Sequence, residues 1–284
     1  MPELTDNRLA RPSGAAKPAQ VVVASASVRE GPDASSRLAT QALLGEIVDV
    51  YETQGGFSRV RCHRDHYVGW VIADALSAAI TAPTHKVTAL RTFVYAAPDL
   101  KSSVNSMLSL GARLTITGQE GDYVLAEQAG WVHTRHLALL GALETDPVAI
   151  ADRYLHAPYL WGGRDSLGLD CTGLTQQAFE STGVCLPRDS DMQFAWAGDD
   201  VVDWKVSGAL KRGDLVFWKG HVGIMTDAHR LLHANAWHMA VTREPLEQAI
   251  VRIRTQYAEP IGARRIAIGK LAGQVPHWMV EPVA

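Results

Sequence analysis

The chain is poor in cysteine, and its three, Cys62, Cys171 and Cys185, stand far apart. No two are near enough in sequence to act as the paired ligands of a zinc site, and an odd set does not build a disulfide framework. A reducing compartment is the simpler setting. An excess of one charge is missing too. With 27 Lys and Arg against 30 Asp and Glu, the formal net charge is −3, which gives no electrostatic case for nucleic acid or an anionic membrane surface as partner. No segment approaches the ~20 apolar residues of a membrane helix. Residues 1–20 are polar, rich in Pro and Ala, and lack the apolar core of a secretory signal. They read as a loose N-terminal arm, and a cytoplasmic location is the expectation.

What the chain does have is length and apolar content for more than one domain, 284 residues at 47% hydrophobic. Between Val21 and Leu140 it repeats itself. Val28-Arg29-Glu30-Gly31-Pro32 is echoed by Val94-Tyr95-Ala96-Ala97-Pro98, Gly45 to Val50 by Gly111 to Ile116, and Gly69-Trp70-Val71 by Gly130-Trp131-Val132. Each copy alternates short runs with Gly, Pro or Asp turns, the pattern of a small β-barrel. The expected domains are 21–80 and 81–142 for the two barrels and 143–284 for a third.

In that third domain Asp146-Pro147 opens a helix over Val148 to Leu155. The run Pro158 to Leu174 then brings a glycine-rich, flexible approach, with Asp170 at an N-cap position and Cys171 in the first turn of a helix that Gly183 stops. Unpaired backbone N–H groups and the helix dipole at that place favour a thiolate. A polar loop from Leu186 to Gln193 leads into another helix, and Pro245 to Ala249 supplies a later one. Strand-like runs at 214–218, 221–226, 230–235, 238–242 and 263–268 form one antiparallel sheet, so the class is α+β.

A nucleophile needs a proton carrier. His221 opens the second of two tightly joined strands, and His233 or Asn235 on the next could orient its ring. Cysteine, histidine, orienting group is the order of a papain-like hydrolase. Cys62, Cys185 and the other nine histidines are read as structural.

Several stretches carry a resemblance to the NlpC-type cysteine peptidases of bacterial cell-wall metabolism. They are Pro158-Tyr159-Leu160-Trp161-Gly162-Gly163, Asp170-Cys171-Thr172-Gly173-Leu174, Arg188-Asp189-Ser190 with Gln193, Gly213-Asp214-Leu215, His221-Val222-Gly223-Ile224 and His233-Ala234. The likeness covers about 145 to 270; Thr172 stands where that family usually has serine. The two Gly-Trp-Val copies are similar to bacterial SH3-like domains. The resemblance implies a papain-like peptidase domain with Cys171 as nucleophile, His221 as base and acid, His233 as orienting residue and Tyr159 beside the oxyanion. It implies substrate contacts at Asp170, Thr172, Arg188, Asp189 and Ser190, with Asp189 meeting an amine, and at Glu30 and Tyr67 of the first barrel. No metal or organic cofactor is implied. As a whole the chain looks like the cytoplasmic γ-D-glutamyl-L-diamino acid endopeptidases that recycle murein peptides such as L-Ala-γ-D-Glu-diaminopimelate. An amidase or acyltransferase on the same Cys/His site, or a non-enzymatic wall-binding protein, is the alternative.

Overall fold

The computed structural model describes residues 6–127 and 129–280. By internal contacts the chain forms two units, Met1–Ala142 with Asp165–Leu167, and Leu143–Arg164 with Gly168–Ala284.

Alternating small apolar and polar residues make the first unit a set of short strands. Strands β1 (Lys17–Val21), β2 (Ser25–Arg29), β3 (Leu38–Leu43), β4 (Ile47–Gln54), β5 (Phe57–Cys62), β6 (Val68–Ile72) and β7 (Leu76–Ser77) form one sheet in the order β3-β2-β6-β5-β4-β1-β7. Val21, Val28, Val48, Val60 and Val71 fill its core with no exposure. The second module has β8 (His85–Val87), β9 (Arg91–Tyr95), β10 (Val104–Ser109), β11 (Arg113–Leu114), β12 (Ile116–Glu120), β13 (Tyr123–Ala126), β14 (Gly130–His133) and β15 (Leu137–Leu139). These make a five-stranded sheet, β10-β9-β14-β13-β12, and a three-stranded one, β11-β8-β15.

The sequence repeat is a repeat of strand pairing. Arg29 of β2 faces Trp70 of β6, and Tyr95 of β9 faces Trp131 of β14, which are the residues that the repeat aligns. Gly45 and Gly111, also aligned, both adopt positive φ, +80° and +90°, in the turns after β3 and β10, a backbone that side chains disfavour.

The N-terminal segment is not a loose arm where it is described. Lys17–Val21 is β1, paired with β4 and β7, and its Ala19 and Val21 are core residues. Ahead of it Leu9 is buried, its carbonyl accepts from Arg61 Nε at 3.1 Å, and Val68 N–H donates to the carbonyl of Arg8 at 2.8 Å. Proline and alanine hid a strand that the sheet needs; the first five residues of the expected arm lie outside the described residues.

In the second unit α1 (Pro147–Arg153) is capped by Asp146, whose Oδ1 accepts from Val148 N–H at 2.9 Å. Further along the chain come β16 (Arg164–Asp165) and β17 (Gly168–Leu169), then α2 (Cys171–Glu180) and α3 (Ser190–Trp196). The main sheet contains β18 (Asp199–Asp200), β19 (Leu215–Trp218), β20 (His221–Met225), β21 (Arg230–Asn235), β22 (Ala240–Pro245) and β23 (Pro260–Arg265), in the antiparallel order β18-β23-β19-β20-β21-β22, with α4 (Leu246–Gln256) after β22. Strand β22 starts two residues later than the spacing predicts and runs to Pro245, because Met239 takes a positive φ of 51° in the preceding turn. Val216 and Trp218 pack with Leu246, Ala249 and Ile253 of α4. Leu215 and Phe217 take the opposite face, where the Phe217 ring lies 5.3 Å from that of Phe194 on α3.

Helix α2 is buried along its length from Cys171 to Phe179, polar residues included. That is tolerable because they are hydrogen-bonded. Thr175 Oγ1 donates to Gln193 Oε1 at 2.9 Å, Gln176 Nε2 to the carbonyl of Leu186 at 2.9 Å, and Gln177 Nε2 to the hydroxyl of Tyr154 at 3.2 Å. The helix carrying Cys171 is therefore held on all sides.

Candidate active site

The start of α2 is braced by one carboxylate. Asp170, in extended conformation, accepts from Gly173 N–H through Oδ1 at 2.7 Å and from Gly162 N–H through Oδ2 at 2.9 Å. Arg188, almost wholly buried, grips both oxygens, Nη1 to Oδ1 at 3.0 Å and Nη2 to Oδ2 at 2.7 Å, a two-pronged match of guanidinium to carboxylate. The Thr172 hydroxyl donates to Asp170 Oδ1 at 3.0 Å and accepts from Arg188 Nη1. A serine hydroxyl would make the same bridge, so the threonine keeps what the position requires. Asp170, Thr172 and Arg188, expected to meet substrate, are thus engaged with one another. The glycines here serve close packing rather than flexibility. A Cβ on Gly173 would sit 2.2 Å from the carbonyl oxygen of Gly163, so only glycine lets that loop lie on the helix start.

Cys171 is 8% exposed, and the backbone N–H groups of Val222 and Thr172 both face its sulfur. Val222 follows His221 directly, so the strand bearing the histidine touches the nucleophile. The sulfur differs from the expected thiolate. Burial, with the negative charge of Asp170, pushes the thiol up to about 12 against the pull of those N–H groups and of Arg188. That balance favours the thiol over the thiolate in the free enzyme. Tyr159 lies near the sulfur: burial first, then the neighbouring Cys171 and Asp170, raise the phenol well above its ordinary value, so it stays an O–H donor. Its backbone N–H donates to the carbonyl of Met239 at 2.9 Å.

His221 Nε2 lies 2.8 Å from His233 Nδ1, and His233 Nε2 lies 2.7 Å from Glu244 Oε1. Arg252 of α4 forms an ion pair with the same Glu244 oxygen. Asn235, the other orienting residue left open by the sequence, instead donates to Thr242 Oγ1 at 2.9 Å. Burial, His233 and Arg252 in that order drive the His221 pKa well below the ordinary histidine value. His233 is lowered as well, by burial, against the opposing pull of Glu244. Burial works to raise the Glu244 pKa, but contacts with His233 and Arg252 outweigh it and the carboxyl stays below its ordinary value.

Glu244 and Arg252 are missed by the sequence reading. The signal was a register: Leu231 pairs with Glu244 and His233 with Thr242, so residues 231, 233, 242 and 244 share one face of the sheet. Leu231 packs in the same cluster as Leu246, Ala249 and Ile253 of α4, the helix that brings Arg252. A strand ended at 242 leaves Glu244 out.

Asp189 stands at the N-cap of α3, half-buried, and Ser190 begins that helix, buried. Glu30 and Tyr67 belong to the first unit. There Glu30 is exposed and ion-paired with Arg37 at 3.6 Å, while Tyr67 is buried and its carbonyl accepts from Cys62 N–H at 2.9 Å. The structure gathers Cys171, Tyr159, Asp170, Thr172 and Arg188 around the helix start and joins His221 to His233. Among the described residues no three His, Cys, Asp or Glu side chains group to hold a metal ion.

Residues 28–76 match the bacterial dipeptidyl-peptidase Sh3 domain and residues 156–258 match the NlpC/P60 family. The chain is 27% identical over 247 residues to a gamma-D-glutamyl-L-lysine dipeptidyl-peptidase of Bacillus cereus, covering 75% of this chain and 72% of that one. It is 25% identical over 209 residues to dipeptidyl-peptidase 6 of Lysinibacillus sphaericus, covering 72% of each. Among solved structures, an NlpC/P60 family protein from Bacillus cereus shares the fold, with a TM-score of 0.71 at 22% identity over 87% of this chain and 99% of that one.

Proposed function

We propose that the chain, which matches the NlpC/P60 family over residues 156–258 and a bacterial SH3 domain over residues 28–76, is a cysteine peptidase that cleaves the γ-D-glutamyl–L-diamino acid bond of murein peptides that carry a free N-terminal L-Ala. The observation that carries the reading is the buried Cys171 sulfur at a helix start, faced by the N–H of Val222, in a unit where His221 is bonded to His233.

The chemistry follows from the neutral pair. As Sγ bonds to the γ-carbonyl carbon of D-Glu, its proton passes to the imidazole of His221, and the new oxyanion takes hydrogen bonds from backbone N–H at the start of α2 and from the Tyr159 hydroxyl. The C–N bond then breaks, the leaving amine of the diamino acid takes the proton from His221, and a thioester remains. Water adds to that thioester with His221 as base, releasing L-Ala-D-Glu and restoring the thiol.

A free amine at the substrate's end calls for a carboxylate, and Asp189 with Ser190 beside it is assigned that contact. A site that pairs an ammonium discriminates strongly against an acylated one, whose partner carboxylate is left unpaired. Preference for short, free peptides over attached wall chains is what fits a recycling enzyme, and a cytoplasmic setting is part of that proposal. The name of the Bacillus cereus relative, which specifies a gamma-D-glutamyl-L-lysine bond, supports the bond type.

The test is to give the protein L-Ala-γ-D-Glu-L-Lys and L-Ala-γ-D-Glu-diaminopimelate, each free and N-acetylated, and to follow L-Ala-D-Glu by mass spectrometry. Release from the free peptides by wild type, none by Cys171→Ala, and loss on acetylation is the expected result. Equal turnover of acetylated peptides removes the amine requirement, and no turnover of either free peptide removes the reading.

A further inference from the structure

Two nitrogens in each imidazole and one proton to place leave several arrangements, and a carboxylate at the end of the chain selects among them. We propose that Glu244, clamped by Arg252, is a positioning residue that sets the tautomers of both histidines and so makes His221 Nδ1 the base that serves Cys171. This rests on the peptidase reading above.

Glu244 is ionised, so Oε1 can only accept, and His233 Nε2 at 2.7 Å must carry the proton. The neutral His233 then has a lone pair on Nδ1. His221 Nε2, 2.8 Å away, has to donate to it, which leaves His221 Nδ1 as that ring's only lone pair. If His233 turned its proton to Nδ1, His221 would accept there and hold its own proton on Nδ1, where a base is needed. One carboxylate therefore decides, across two rings, whether a thiol proton can be taken.

The second effect is charge. When His221 becomes an imidazolium, a full positive charge arises beside the wholly buried His233 ring, and Glu244 is the carboxylate hydrogen-bonded to that ring. Facing the pair are His221 on β20, His238 at the turn before β22 and Arg252 on α4, whose positive charge opposes imidazolium formation. Arg252 also fixes the carboxylate: its guanidinium pairs with Oε1 while lying 5.7 Å from the centre of the Trp237 ring. Side chains of Glu244 and Arg252 are only 14% and 17% exposed, so solvent screens them little.

The experiment uses the full chain labelled with 15N-histidine, together with Glu244→Leu and Glu244→Gln. In wild type, two-bond 1H–15N spectra are expected to show His221 and His233 both protonated on Nε2 near neutral pH. Glu244→Leu should mix the tautomers, lower kcat about tenfold to a hundredfold with KM little changed, and move the acid limb of kcat/KM to lower pH, since a group favouring the imidazolium is gone. Glu244→Gln keeps an acceptor but no charge, and should restore the tautomers and part of kcat while the acid limb stays shifted. It also carries the test if the leucine variant does not fold. Wild-type tautomers other than these, or an acid limb unmoved in Glu244→Gln, overturns the proposal. Because the spectra need no substrate, an enzyme inactive on γ-glutamyl peptides yet showing these tautomers would refute the assigned reaction and leave the positioning role intact.

Discussion

Replacing Arg188 by methionine removes the guanidinium from the brace at the start of α2 and keeps its volume. Arg188 is 1% exposed and donates to both oxygens of Asp170, at 3.0 and 2.7 Å. What remains is a carboxylate in a buried place without its cation, and breaking such a pair from one side costs roughly 3–5 kcal/mol. For a unit of this size each kcal/mol lowers the melting temperature by roughly 3–5 °C, so a fall of about 10–25 °C is expected. Asp170→Asn tests the cause, because asparagine caps a helix as well as aspartate does and carries no charge to strand. The double variant Asp170→Asn/Arg188→Met should recover a large part of what Arg188→Met loses. The assay is thermal unfolding of wild type, both singles and the double, followed by activity on the free tripeptide. Activity should fall with Arg188→Met at temperatures where the protein is still folded, since the same carboxylate positions the turn that bears Cys171. An Arg188→Met melt within about 2 °C of wild type, or a double variant whose loss is the sum of the singles, would refute the buried-pair argument.

Other consequences follow from the same geometry. Alkylation of Cys171 by iodoacetamide without substrate should be slow at neutral pH and climb toward alkaline pH, because burial holds the thiol up to about 12; a rate already level below pH 7 would mean an ion pair in the free enzyme. The acid limb of kcat/KM should lie below about 6.5, the ordinary histidine value: burial depresses the His221 pKa, so the neutral base persists to lower pH and is lost only as pH falls through that depressed value. Gly173→Ala gains up to about 1 kcal/mol in helix propensity, but its Cβ would meet the backbone oxygen of Gly163 at 2.2 Å. A net loss of roughly 1–3 kcal/mol is expected, read as a lower melting temperature, and a stabilised variant would contradict the close packing.

The sequence is most legible where the backbone speaks for itself. Asp170 before Cys171 is a cap by residue type and spacing, and the structure has that cap. The repeat in the first unit is legible because glycine and tryptophan positions are demanded by turns and strand pairings that recur. Three things were hidden. Lys17–Val21 was masked as a strand by its proline and alanine, although Pro18 and Ala19 pair with β4 alone and β7 joins only at Gln20 and Val21, so the proline sits where one side of the strand has no ladder. The state of the Cys171 sulfur depends on how much water reaches it, which helix position alone does not reveal. Glu244 joins the histidines through a cross-strand register, and register belongs to two strands at once, so a strand read singly carries no trace of it.

Since Trp70 and Trp131 answer to each other, as do Arg29 and Tyr95, the molecule contains a replicate of its own construction plan in two different surroundings. Identical substitutions made at matched places would separate what a ladder of strands demands everywhere from what a particular neighbourhood adds, with no second protein required for the comparison.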